Sequence, residues 1–264
     1  MAPPDGSGPA RLNELLAAAE PGLDRILAVI ATVDADEPPA EEDIVAAFDH
    51  LAIDVEHDDS PQSILDHVFG QLGFSGDVSD YYSPANSLIH RVLERRRGIP
   101  MTLAAVASEV ARRCGMDLRL VGLPGHILLG QGPEPKAWFD PFNGGARLGY
   151  EDCRLLFAKF HPIESFSPAM LAPIDAEMIS IRMLNNLRVA YTKRGDAGRT
   201  VPVLEMRAEM SSADVGDRLE LAGVLAMLGR YDRAADEFER LAELDPPRAD
   251  AYNRRARSYR AHRN

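Results

Sequence analysis

The chain has 264 residues, enough for one large domain or two modest ones, and its 45% hydrophobic content is that of a packed core rather than a disordered chain. A net charge of −12 and a sequence pI near 5.0 argue against nucleic acid or an anionic membrane as partner. Two cysteines make no disulfide framework and no Cys-x-x-Cys spacing offers zinc ligands, so neither metal nor cofactor is expected.

The acidity is uneven, with −16 in residues 1–80 and +4 in the remainder. Residues 1–9 are rich in Pro, Gly and Ser, lack the pattern of a secretory signal, and are expected to be flexible. The absence of an 18-residue apolar stretch predicts no membrane span and hence a cytoplasmic address. Leu12, Leu15, Leu16 and Ala19 begin a helix, and Leu23, Ile26, Leu27 and Ile30 form another after Pro21. The acidic linker 34–42 sets carboxylates at the positive end of a third helix, Ile44 to Leu51. A fourth, Pro61 to Leu72, carries Ile64, Val68 and Phe69 on one face, and together these predict an acidic helical subdomain over residues 10–72.

A core is expected over residues 73–172. Tyr81 and Tyr82 read either as the lining of a ligand groove or as packing for a loop. Asn86 or Ser87 is placed to cap the next helix, which ends at Arg95-Arg96-Arg97, where cations oppose the dipole; Arg97 is a binding candidate beside its reading as a solvated cap. Gly98-Ile99-Pro100 breaks that helix and starts another, running to Cys114, because proline lacks only an amide hydrogen that the first turn leaves unused. Leu103, Val106, Val110 and Ala111 give this helix a buried face, with Glu109, Arg112 and Arg113 toward water.

The period then changes to two. Leu118 to Val121 and Ile127 to Leu129 read as short strands around Pro124-Gly125, and Ala137-Trp138-Phe139 as a third. With His126 set opposite Asp140, Gly130 faces Lys136 and the loop Gln131 to Pro135 closes the hairpin. Imidazole and carboxylate then meet on one face, and an Asp that orients a His is half of a catalytic triad; the same pair also reads as a buried hydrogen bond that fixes strand register. Asn143-Gly144-Gly145 is a binding turn or simply a tight one. Tyr150 to Phe160, with Cys153, forms a helix, and Pro162 to Pro173 a broken connector.

Residues 173–264 carry a repeat signal. Leu221, Ala222, Leu225, Gly229, Tyr231, Ala234, Phe238 and Pro246 fall at tetratricopeptide spacings, and Leu187 and Gly195 recur 34 residues on as Leu221 and Gly229. Such hairpins provide a partner groove or brace the core.

Gly73-Phe74-Ser75-Gly76, Asp80-Tyr81-Tyr82, Asn86-Ser87, Val92 to Pro100, Gly122 to His126 and Asp140 to Gly145 together resemble the SirB1 family, whose core is transglutaminase-like. The resemblance implies an α+β, papain-like core with an N-terminal helical subdomain and C-terminal tetratricopeptide-like hairpins. In active transglutaminase-like enzymes a Cys opens the core helix, where dipole and His stabilise its thiolate. This chain has Pro100, Met101 and Thr102 there. The expectation is therefore a protein- or peptide-binding module in which catalysis is absent or altered. Its rival is a hydrolase or acyl-transferase using Thr102, or a cysteine brought near by folding, with His126 and Asp140. Thr102 also reads as a helix-start hydroxyl bonded to backbone.

Overall fold

The computed structural model describes residues 7–19, 21–34, 36–55 and 60–262. In chain order the elements are α1 (Ser7–Leu16), α2 (Leu23–Ala31), α3 (Glu41–Leu51), α4 (Pro61–Leu65), β1 (Ser75–Gly76), α5 (Ile89–Arg95), β2 (Arg97–Gly98), α6 (Pro100–Arg113), β3 (Leu118–Val121), β4 (Leu128–Gln131), β5 (Trp138–Asp140) and β6 (Ala146–Leu148). Then come α7 (Tyr150–Phe160), α8 (Ala176–Lys193), α9 (Ala197–Ala208), α10 (Val215–Met227), α11 (Tyr231–Leu244) and α12 (Ala249–Ala261). Helix α1 takes in Ser7, Gly8 and Pro9, which composition alone assigned to a flexible end; residues 1–6 lie outside those described.

Two compact units divide the chain, one of residues 19–31 and 39–183, the other of 1–18, 32–38 and 184–264. In the first, α6 is the hub, packed against α2, α3, α4 and strands β3 and β4. Its residues Leu103, Ala104, Ala105, Val106, Ala107, Val110 and Ala111 are all fully buried. At about 25 cal/mol per Å² of apolar surface, each of its larger side chains contributes roughly 1.5–3 kcal/mol. Burial extends to Glu109, which the helical pattern set toward water. With α2 and α3 covering that side, Glu109 and Asp24 hold Arg113 at 2.5 and 2.6 Å, and Asp49 takes its Nε at 2.7 Å. A buried carboxylate keeps its charge only with such partners.

The sheet runs β3-β4-β5-β6, antiparallel throughout. Leu129 faces Phe139 and Gly130 faces Trp138, so the hairpin sits two residues from the register that sets His126 opposite Asp140, and residues 132–137 close it. A two-residue shift keeps every side chain on its face. Helix α7 covers one face, where Val121, Leu123, Leu128, Trp138, Cys153, Phe157 and Leu171 form a cluster. Strand β6 was not anticipated, being only three residues long with an exposed pattern. The expected cap at Asn86 or Ser87 is also corrected: Leu88 is the N-cap of α5, and Asn86 is buried, donating to Asp80 O at 2.8 Å and accepting from Arg95 at 3.0 Å. Helix α4 continues as a wider turn over Asp66–Gln71, with Leu72 N on His67 O at 2.8 Å.

In the second unit α9, α10, α11 and α12 pack in succession. Gly195 and Gly229, at φ 68° and 72°, end α8 and α10, because that left-handed turn suits a residue without Cβ.

Candidate functional site

Local geometry delivers the two central side chains. Leu123 to His126 form a tight turn, His126 N donating to Leu123 O at 2.9 Å, with Gly125 at φ 80°. This sets His126 ahead of β4, while Asp140 closes β5 and caps the helical turn Pro141–Asn143, accepting from Phe142 N at 3.0 Å. His126 Nε2 and Asp140 Oδ1 are 2.9 Å apart, with side chains 8% and 4% exposed. Asn143 Nδ2 donates to the other oxygen, Oδ2, at 2.6 Å. Burial pushes the Asp140 carboxyl up, but His126, with Asn143 and the Phe142 amide, outweighs it, and the net shift is down. An ionised carboxylate only accepts, so Nε2 carries the proton and Nδ1 of a neutral ring is left as the basic nitrogen. Among the described residues nothing hydrogen-bonds Nδ1.

Aromatic rings flank the pair. Phe160, 51% exposed, stacks on the imidazole at 6.2 Å and 11°, over Gly125, whose missing Cβ makes room for it. On the Asp140 side Phe142 meets Tyr81 edge-on at 5.9 Å, and Tyr81 meets Tyr82 at 5.3 Å, with both tyrosines more than 40% exposed. Gly76 lies beneath the Phe142 ring. Burial, then the neighbouring Tyr82, pushes the Tyr81 phenol up.

Of the residues expected at the site, the structure joins His126, Asp140 and Asn143 in one hydrogen-bonded set, with Tyr81 next to it through Phe142 and Tyr82 beyond. Thr102 stands outside that set. Its buried hydroxyl lies 2.8 Å from Asn86 O, 3.1 Å from Ile99 O and 3.1 Å from Ile99 N, which closes the N-terminus of α6. Arg97 is exposed and engages Ser75 Oγ beside the β1–β2 pair.

Neither sulfur is an activated thiolate. Cys153, fully buried in the α7 cluster, has its thiol pushed up to about 12, first by burial and then by Asp152. Cys114 caps the far end of α6, and burial raises its thiol too. Among the described residues no three His, Cys, Asp or Glu side chains converge to hold a metal ion.

Sequence reasoning missed Phe160 and Arg182. The former is a helix-end aromatic with nothing local to mark it. Arg182, on α8, donates from Nη2 to Leu123 O at 3.1 Å and to His126 O at 3.3 Å, pinning the turn that carries the imidazole.

A core helix feeding an antiparallel sheet that presents a buried His–Asp pair defines a transglutaminase-like domain. The family described as transglutaminase-like superfamily matches residues 26–185, and the chain belongs to it, within the group of UPF0162 proteins. A UPF0162 protein of Pseudomonas aeruginosa is 32% identical over 199 residues, covering 69% of this chain and 73% of that one. One from Xylella fastidiosa (strain Temecula1) is 38% identical over 131 residues, 47% of this chain and 46% of its own length. The human F-box only protein 21 is 28% identical over 170 residues, 61% of this chain but 26% of its own. The chain thus spans about half the length of the two Xylella fastidiosa relatives, 46% and 58%. Among the described residues no helix is long and apolar enough to cross a membrane.

Proposed function

We propose that this chain is a transglutaminase-like domain that binds a protein or peptide segment and performs no acyl transfer, and that its finer placement is in the SirB1 family. The observation that carries the reading is a His–Asp pair kept in hydrogen-bonded order with no activated nucleophile beside it. The Thr102 hydroxyl is held by backbone and the Cys153 thiol stays protonated. In place of a thiolate, the pair is bordered by the exposed rings of Phe160, Tyr81 and Tyr82, which offer large contact area at low entropic cost. The unpartnered His126 Nδ1 is an acceptor for a backbone N–H of the bound segment, and Asn143 fixes the carboxylate behind it.

The helices α8 to α12 are, in this reading, tetratricopeptide-like hairpins. Gly195 and Gly229 stand 34 residues apart at nearly the same φ, and Asp196 N on Tyr191 O repeats as Arg230 N on Leu225 O. Leu187 and Leu221 are both buried, as equivalent core positions require. The location remains cytoplasmic in this proposal.

The test has two arms on the full chain. Incubated with a thiol-directed electrophile and with a glutamine acyl donor, the native protein should form no adduct that depends on His126. An adduct abolished by His126→Ala in a folded protein would establish the rival enzyme. Peptides selected from a random library on the wild-type chain should lose binding to Tyr82→Ala and to His126→Ala; retention by both removes the site from the binding surface.

A further inference from the structure

The guanidinium of Arg182 is half-buried and has no carboxylate partner among the described residues. Elsewhere in the same unit arginines that reach inward meet acids: Arg113 sits on Asp24, Asp49 and Glu109, and Arg95 on Asp77 at 3.2 Å. Arg182 instead spends Nη2 on two backbone carbonyls, at 3.1 and 3.3 Å, while Nη1 lies against Gly122, where a Cβ would come within 2.6 Å. Carbonyl dipoles satisfy donors without supplying a full counter-charge, and Nη1 and Nε have no acceptor among the described residues. Burial alone pushes the Arg182 pKa down. A partly desolvated cation of this kind is costly until an anion reaches it, and the planar fork of arginine fits a carboxylate edge.

We propose that Arg182 is the anion-binding residue of the His126 site and takes a carboxylate of the bound segment, either an Asp or Glu side chain or the free carboxyl terminus of a peptide. The inference rests on the binding reading above and names the chemistry of the occupant. The Leu123–His126 turn links the two positions, since the guanidinium that would hold the carboxylate also holds the His126 carbonyl. A carboxylate is thereby selected next to an aromatic ring and the His126 imidazole.

The test is an NMR titration of the isotopically labelled full-length protein, reading the Arg182 Nε–H and His126 ring resonances. The probes are N-acetyl-phenylalanine with a free carboxylate, N-acetyl-glutamate α-amide, and neutral N-acetyl-phenylalanine amide. At least one carboxylate probe should bind about tenfold tighter than the neutral amide, as expected for a charge-assisted hydrogen bond, and the stronger one identifies the source. Arg182→Gln keeps an N–H donor for the two carbonyls and removes the charge, so it should remain folded by its thermal melt and lose the carboxylate preference. Should Arg182→Gln fail to fold, Arg182→Lys is the second variant, keeping charge without the fork and losing most of the preference. Equal binding of all three probes overturns the proposal while leaving the binding reading intact; so does a preference that survives Arg182→Gln or persists in full in Arg182→Lys. Absence of any binding overturns both.

Discussion

His126 Nε2 and Asp140 Oδ1 are hydrogen-bonded at 2.9 Å although Asp140 is paired across the sheet with Ala146, and His126 precedes strand β4. The bond is made by side chains from a turn and a strand end, so it depends on both being held. Asp140→Ala removes the acceptor of three donors, on His126, Asn143 and Phe142. At roughly 1–3 kcal/mol for a buried donor left unsatisfied, urea unfolding should show a loss of at least about 2 kcal/mol. A loss near zero would mean that the pair is not coupled to the fold.

Acid should weaken the protein through Asp140 and Asp77. Ser79, followed by Asp80 and Asn86, holds the Asp77 carboxyl far below the usual carboxylate range against the opposing effect of burial; Asp140 is lowered as well. A carboxyl depressed in the folded state stabilises fully above its unfolded value, about 4 for aspartate, and the contribution disappears as pH falls through the folded value. The urea midpoint should be flat through neutrality and fall below about pH 4, less steeply in Asp77→Asn.

Thiol reactivity should differ between the two cysteines. With Cys153 pushed up to about 12 and buried, a thiol-exchange reagent at mildly alkaline pH should modify Cys114 in the native protein and Cys153 only on unfolding. Peptide mapping after modification reads this; equal native rates would contradict the buried placement of Cys153 on α7.

Gly76 lies under the Phe142 ring with its φ outside the left-handed region, so the cost of Gly76→Ala is steric. Overpacking of this sort costs about 1–3 kcal/mol, and it should also shift the Tyr81 and Phe142 ring resonances. Unchanged stability and spectra would place Phe142 elsewhere.

Thr102→Val keeps shape and removes the hydroxyl that serves Asn86 and Ile99. Stability should fall by about 1–3 kcal/mol, with peptide binding at His126 retained by the folded fraction. Loss of binding without loss of stability would return Thr102 to the site.

The helix from Pro100 was legible because its limits are local: Gly98 and Pro100 break one helix and start the next, and Gly115, at φ 76°, ends it. The meeting of His126 and Asp140 was legible too, but not as the cross-strand pair expected: with Leu129 facing Phe139, His126 stands before β4 on the Leu123–His126 turn and reaches the end of β5 from there. Tertiary structure alone decided the rest. Beyond the local Ile99 contacts of a helix-start hydroxyl, Thr102 also bonds a carbonyl sixteen residues earlier; Glu109 is covered by α2 and α3 and paired with Arg112 and Arg113; and Phe160 and Arg182 reach His126 from helices that follow the sheet. Punctuation and periodicity act within a turn or two of the chain, whereas the partners of a buried polar group are whatever packing brings there from any distance in sequence.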